Sequence, residues 1–427
     1  MVYILDVNNK PLMPTNRHGK VRHLLKEKKA KVVKMQPFTI QLLYKTTKYK
    51  QDIVLGVDAG SKFIGLSATT KEKELYSAEV ELRNDIVKKL ATRRQVRRTR
   101  RNKLRYRQPR FLNRISRKNK GWLAPSIEHK IQTHMTMIKK VYEILPITKI
   151  IVETAQFDIQ KINNPEIESV EYQQGEQLGF WNVREFVLFR DNHTCQHCKG
   201  KSKDKILNVH HIESRLTGGD SPNNLVTLCE TCHNAYHKGK IDLKIKRGQK
   251  FNHTTFMGIM RKTFHKRLFK MYPNVKITYG YITKNTRIQN NLGKAHRIDA
   301  KCITGNPLAK SINTWFYYKK VRCQNRQIHK ANFIKGHIKK LNQAPFEVKG
   351  FRLFDKVEFE KELYYIFGRR KRGFFDIRKL DGTKVNKGSI SYKKLLLKGF
   401  RETLLIERRN CSPLTTEVAS LRTAKLL

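Results

Sequence analysis

Short blocks of apolar and polar positions open the chain. "VYILDV" at residues 2–7 predicts a short strand, and "NNKP" a turn. "HGKVRHLLKEKKA" predicts a basic helix, and "KVVKMQPFTIQLLY" an extended stretch interrupted by Pro37. "DIVLGVDAGSKFIGLSATT" then gives a buried strand, a Gly turn and a second strand. Further on, Ile127, Ile131, Ile138, Val141 and Leu145 recur at helical spacing, opened by Pro125 and Ser126 and ended by Pro146. "KIIVE" predicts the next strand, and "WNVREFVLFRDN" a short helix. Residues 241–305 read as mixed helix and strand. Beyond 306, "FRLFDKVEF" and "LYYIFGRRKRGFFDIRKLDGTKV", with a hairpin turn at Asp381-Gly382, predict a small β-rich domain. Residues from roughly 408 to 427 are expected to lack order, as chain ends often do. The pattern is that of a multidomain α/β chain without internal repeats.

Charge narrows the class. The 427 residues hold 90 Lys and Arg against 35 Asp and Glu, a net charge of +55 that calls for a polyanionic partner, most commonly nucleic acid. A membrane surface is the rival, but the sequence has neither an amphipathic basic helix nor a lipidation signal. The N-terminal "MVYILDVNNKPLMP" lacks the pattern of a signal peptide, and no stretch of about 18 apolar residues suggests a membrane span. An intracellular protein is expected. Residues 88–120 hold 16 Lys and Arg and no acid. Such a run is usually a solvated tail. Here it lies between structured segments and carries Leu104, Phe111, Leu112 and Ile115, which fits a long basic helix lying in a nucleic-acid groove. Residues 153–176 reverse the charge, with six acids and one base, and read as a solvated connector.

Four of the seven cysteines come in pairs. Cys195-x₂-Cys198 and Cys229-x₂-Cys232 have the spacing of a closed, structural Cys₄ zinc site. Cys302, Cys323 and Cys411 are scattered and carry no assigned role. Between and after the pairs lie His210 and His211, adjacent at a strand end, then Asn224, then His233 and His237, four apart on one helical face. A ββα hairpin would bring His210 beside His233 and His237, a three-ligand site with open positions, as catalytic metals have. Strand alternation would turn His211 the other way, to act as a base.

Three acids outside this module share a placement. Asp58 ends "IVLGVD", Glu153 ends "KIIVE", and Asp299 follows His296 by three residues in "KAHRIDAKC". Each taken singly reads as a turn or surface acid. Together they suggest a carboxylate cluster for two hard cations and in-line phosphodiester cleavage.

The "VHHIES" module resembles the HNH nucleases. That resemblance implies His211 as general base, positioned by Asn224, with His210, His233 and His237 around one Mg²⁺. The order strand–Asp, strand–Glu, helix–His-x-x-Asp resembles the RuvC nuclease, which has an RNase H-like fold. It implies Asp58, Glu153 and Asp299 around two Mg²⁺, with His296 assisting near the attacking water. With "KPLMP", "RRQVRRTRRNKLRYRQPRF" and "GWLAPSIEH", residues 1 to about 405 resemble the IscB family of transposon-associated, RNA-guided DNA nucleases. The implied layout is an N-terminal PLMP domain (1–50), RuvC segment I (51–87), an arginine-rich bridge helix (88–122), RuvC segment II and linker (123–180), HNH with zinc (181–240), RuvC segment III (241–305), and a C-terminal domain (306–427) that binds RNA and reads a motif beside the target. In the bridge helix Arg93, Arg94, Arg97, Arg98, Arg100, Arg101, Arg105, Arg107, Arg110 and Arg114 would contact nucleic acid. The resemblance further implies an omega RNA guide and double-stranded target DNA. HNH would cut the guide-paired strand and RuvC the displaced one. A monomeric protein in a ribonucleoprotein, cytoplasmic and nucleoid-associated in a prokaryote, is the implied setting. Guide pairing would supply sequence specificity, so the protein needs mainly backbone contacts, consistent with its charge.

Overall fold

The computed structural model describes residues 1–47, 49–86, 89–93, 122–154, 180, 182–214, 221–243, 245, 252–323, 329–332, 338–341, 345–385 and 389–411. The chain divides into two compact units, Met1–Gln156 with Met260–Leu427, and Phe157–Ile259.

The first unit starts with β1 (Val2–Leu5), β2 (Pro11–Thr15), α1 (His18–Lys26), β3 (Ala30–Lys34) and β4 (Thr39–Leu42). These strands form a sheet of order β2-β1-β4-β3 around Val2, Leu12, Val21, Ile40 and Leu42. The Tyr3 hydroxyl, fully buried, donates to the Leu75 carbonyl 3.0 Å away and ties this sheet to the next.

The long sheet is built from β5 (Val54–Ala59), β6 (Phe63–Thr69) and β7 (Glu74–Glu81), followed, after α2 (Pro125–Tyr142), by β8 (Lys149–Thr154). β5 pairs antiparallel with β6 and parallel with β8, and β6 pairs antiparallel with β7. Central strands covered on both faces read as near-continuous apolar runs, and "VLGVDA" and "FIGLSAT" do so. Pro125 at the first helical position starts α2, whose buried stripe includes Ile127, Ile131, Ile138 and Val141, the spacing expected from sequence.

The second unit contains α3 (Val183–Arg190), β9 (Leu207–His211), β10 (Leu225–Cys229) and α4 (Glu230–His237). β9 and β10 form an antiparallel hairpin. Asn182 caps α3 by accepting from the Glu185 N–H at 2.9 Å. Arg190 on α3 donates to the Pro222 and Leu225 carbonyls, at 2.9 and 3.0 Å, and so fixes the helix to the start of β10.

α5 (Asn252–Met271) leads back into the first unit, followed by β11 (Val275–Thr278), α6 (Gly280–Gln289) and α7 (His296–Ile303). Phe264 of α5 packs its ring 5.4 Å from the ring of His134 on α2, and Arg267 grips Glu128 with two bonds of 2.6 and 3.0 Å. β11 adds parallel to β8.

The remaining strands are β12 (Thr314–Lys320), β13 (His329–Asn332), β14 (Ile338–Leu341), β15 (Glu347–Val348), β16 (Phe351–Arg352), β17 (Lys356–Phe359), β18 (Glu362–Arg370), β19 (Phe374–Arg378), β20 (Ile390–Ser391), β21 (Leu396–Gly399) and β22 (Leu404–Asn410). A five-stranded antiparallel sheet, β20-β19-β18-β17-β21, encloses Val357, Ile366, Phe375 and Ile377. The Asp381-Gly382 turn is present, with Gly382 at φ +99° and a bridge between Arg378 and Lys384.

Two expectations are corrected here. The chain beyond 306 is not one separate β-rich domain, because β12 and β22 belong to the long sheet, whose order is β11-β8-β5-β6-β7-β12-β22. β12 runs parallel to β7, with Phe316 beside Ala78, and β22 closes the edge antiparallel to β12. Residues 408–410 are ordered strand, held by pairing of Thr314 with Asn410 through Lys320 with Leu404. The expected bridge helix is helical over 89–93, where Arg93 is exposed. Arg94, Arg97, Arg98, Arg100, Arg101, Arg105, Arg107, Arg110 and Arg114 lie outside the described residues, as does most of the acidic connector. Among the described residues no helix is long and apolar enough to cross a membrane.

Candidate active sites

In the hairpin unit, alternation along β9 separates the adjacent histidines: His210 is buried and His211 half-buried. Val226 and Leu225 of β10 stand opposite them. α4 follows β10 directly and carries His233 and His237 one turn apart. One ring nitrogen from each of His210, His233 and His237 lies within 4.8 Å of the others. The His233 and His237 Nε2 atoms are 3.3 Å apart. His210 Nε2 is buried without a hydrogen-bond partner. Burial, then the neighbouring His233, His237 and His211, push the His210 pKa down to about 4. A neutral imidazole with an unsatisfied buried nitrogen facing two other imidazoles fits a cation ligand set.

Asn224 is fully buried beside this site. Its Oδ1 accepts from the Glu213 N–H at 2.9 Å, and its Nδ2 donates to the Glu213 carbonyl at 3.0 Å. The Ile212 N–H donates to the Asn224 carbonyl at 2.8 Å. These three bonds clamp the two residues that follow His211. Asn224 therefore acts on the strand end that carries the histidine.

The four cysteines converge in the same unit, with Sγ atoms within 4.8 Å of one another. Cys198 and Cys229 Sγ lie 3.8 Å apart. Tetrahedral zinc with Zn–S bonds of about 2.3 Å needs sulfur separations of about 3.8 Å, so the cluster fits a zinc ion. Hydrogen bonds from Ser202 bring the Cys198 thiol down to about 6, favouring the thiolate that a metal requires, while burial raises Cys232. The cluster packs with Val226 and Leu228, giving this small unit its core.

In the other unit, Asp58 and Glu153 stand side by side at the C-terminal ends of the parallel strands β5 and β8. His296 opens α7, with Asp299 one turn later. His296 Nδ1 meets Asp58 Oδ2 at 2.6 Å, and the Phe63 ring stacks on the imidazole at 5.3 Å. The hydrogen bond to Asp58 raises the His296 pKa, against burial. Burial, then the charges of Asp58 and Asp299, push the Glu153 carboxyl up to about 7, although the Thr283 hydroxyl opposes the shift. Burial and Asp58 likewise raise Asp299. Glu153 Oε2 is buried without a partner. Half-buried carboxylates that resist joint ionisation, one with an unsatisfied oxygen, fit a site for divalent cations. Asp58, Glu153 and Asp299 do not bring one carboxylate oxygen each within 4.8 Å of the others. Like charges repel, and Arg287 Nε takes Asp299 Oδ1 at 2.9 Å.

Arg287 has no signal in the sequence. Gly56 and Gly65 do have one, as glycines inside apolar strands. A Cβ on Gly65 would lie 1.9 Å from the His296 carbonyl oxygen, and one on Gly56 2.0 Å from that of Ala300. These two glycines let the α7 backbone lie directly on β5 and β6, which sets the depth of His296 and Asp299.

The RRXRR protein profile matches residues 2–175, and the HNH endonuclease profile matches residues 195–239. The chain is thus similar to the RRXRR proteins over its N-terminal part and to the HNH endonucleases over a shorter stretch that follows. The HNH match spans all four paired cysteines together with His210, His211, His233 and His237, so the chain carries an HNH endonuclease domain in its second unit. Among solved structures, Streptococcus thermophilus Cas9 in complex with AGGA PAM is 13% identical, with a TM-score of 0.31, over 49% of this chain and 30% of that one. The same protein in complex with the AGAA PAM is 13% identical, with a TM-score of 0.30, over 60% of this chain and 32% of that one. The chain thus spans about a third of the length of those proteins. No curated protein matches.

Proposed function

We propose that this protein is an RNA-guided DNA endonuclease. It binds a structured omega RNA and cuts double-stranded DNA, with the HNH centre acting on the guide-paired strand and a RuvC centre on the displaced strand. The observation that carries the reading is the pairing of Asp58 with Glu153 on adjacent parallel strands, with His296 held against Asp58, in a chain that also has an HNH domain. Parallel strands bring their C-terminal ends to one edge of a sheet, the usual place for a ligand site. The mixed sheet supports an RNase H-like core.

At the HNH centre, His210, His233 and His237 would hold one divalent cation, which would neutralise charge on the phosphate and the leaving oxygen. His211 takes the proton from water, and Asn224 keeps it in place by clamping residues 212 and 213. The cysteine cluster would hold zinc and staple the unit. At the RuvC centre, Asp58, Glu153 and Asp299 would hold Mg²⁺, two ions in this reading, supplying Lewis acidity at the phosphodiester. Asp58 fixes the imidazole of His296 through Nδ1, which leaves Nε2 to accept a proton from water. Arg93 and the arginines that follow it in the sequence bind RNA backbone, with an affinity that falls steeply with salt.

The test is cleavage of plasmid DNA with Mg²⁺ by protein carrying its co-purified RNA. Nuclease removal of that RNA must abolish targeted cutting, and adding it back must restore it. Targeted cutting by the RNA-free protein would leave a guide-independent HNH nuclease as the better description.

A further inference from the structure

Beside the carboxylates lies an aromatic surface that the chemistry above does not use. α6 begins at Gly280, where a Cβ would come within 2.9 Å of Glu153 Oε1. The residues on either side of this glycine are Tyr279 and Tyr281. Their rings are parallel to within 9°, with centroids 5.9 Å apart. Tyr279 is 39% exposed, Tyr281 65% and the adjoining Ile282 43%. Large side chains exposed together mark a contact surface rather than core.

Charge identifies the occupant. From Leu243 to Ile298 the chain has no Asp or Glu, and the stretch from Lys270 to Arg297 carries Lys276, Lys284, Arg287 and Lys294 as well. Flat exposed rings on a stretch of chain that carries cations and no acid of its own suit a partner that offers both phosphates and planar faces. A duplex keeps its base faces stacked inside, whereas an unpaired strand presents them.

We infer that Tyr279 and Tyr281 form a stacking platform for a base of an unpaired DNA strand, and so hold the neighbouring phosphate over Glu153, Asp58 and Asp299. The inference rests on the carboxylate-centre reading above. Both tyrosines adjoin the glycine that meets Glu153, so the proposal puts the stacked base on a nucleotide near the bound phosphate. Both tyrosines are positioning residues. They select an unpaired strand because paired bases have no face to offer.

The test uses the full chain with its co-purified RNA and a target whose displaced strand is held open by mismatches. Tyr279→Ala with Tyr281→Ala should raise KM for displaced-strand cutting roughly 10-fold, within the range for loss of base stacking, with kcat nearly unchanged. Tyr281→Trp should restore KM, and cutting of the guide-paired strand should be unaffected. An abasic site beside the scissile phosphate should raise KM for the wild type and not for the double variant. An unchanged KM in the double variant, or no difference between Trp and Ala at 281, overturns the platform. Binding of a fluorescent single-stranded oligonucleotide to the Asp58→Asn variant separates the two readings. Persistent displaced-strand cutting by Asp58→Asn refutes the carboxylate centre, whereas equal oligonucleotide affinity with and without the tyrosines refutes the platform.

Discussion

Alanine at position 65 would put a methyl group 1.9 Å from the His296 carbonyl oxygen. Ordinary contact begins near 3.4 Å, so the α7 backbone must retreat by about 1.5 Å, or β6 must bend away. The obstacle is backbone on both sides, so no rotamer change relieves it. The destabilisation expected for such overpacking is about 1–3 kcal/mol. The functional cost is larger. His296 and Asp299 ride on α7, and the Asp58–His296 bond is 2.6 Å long, so a shift of this size breaks it. Misplacement by about 1 Å can lower a rate roughly 100-fold. Gly65→Ala should therefore lose displaced-strand cutting by about that factor while the HNH centre, in the other unit, continues to nick. Supercoiled plasmid resolves the outcomes, since double-strand cutting gives linear DNA and single-strand cutting gives open circles. Linear product at the wild-type rate from a folded Gly65→Ala protein would refute the argument that the glycine sets the depth of α7.

The other centres give sharper chemical tests. Asn224→Ala removes both side-chain bonds to Glu213 in a fully buried position, and should cost about 1–3 kcal/mol in thermal unfolding and suppress guide-paired-strand cutting. The Glu153 pKa is raised to about 7, so below that pH the group takes up a proton and ceases to be a cation ligand. Displaced-strand cutting at low Mg²⁺ should then fall as pH drops through about 7, with the limb moving to lower pH as Mg²⁺ increases, measured as strand-resolved initial rates. The same sign means that the metal-free folded state binds this proton more tightly than the unfolded chain. Its stability should therefore decrease as pH rises from the ordinary glutamate range to about 7, a slope that Glu153→Gln makes shallower in chemical denaturation, since Asp299 and His296 are raised as well. Elemental analysis should find one zinc per chain, and Cys229→Ser should lose it together with HNH cutting, leaving displaced-strand cutting in place.

The hairpin site was legible because its information is local. Paired cysteines, adjacent histidines and a four-residue histidine spacing lie within 43 residues, and short-range strand and helix geometry brings them together. The carboxylates were legible as ends of apolar runs, but their register was not. Asp58 and Glu153 are 95 positions apart, and parallel pairing across that distance leaves no mark on either strand. The same reason hid the edge of the sheet. β12 pairs with β7 more than 230 residues earlier, so part of the stretch read as a separate β-rich domain extends the long sheet instead. Gly56 and Gly65 left a readable signal, an interruption in an apolar strand, whose cause only the packed α7 backbone reveals. Arg287 left none, because nothing on a basic helix marks which cation will meet Asp299.

The central claim is that two separate centres each cut one strand. Strand-resolved cleavage of a doubly end-labelled target by the RNA-loaded protein tests it most directly. The account predicts that His211→Ala leaves only the displaced strand cut, that Asp58→Ala leaves only the guide-paired strand cut, and that the double variant cuts neither. Double-strand breaks from either single variant, or loss of both cuts in each, would contradict it.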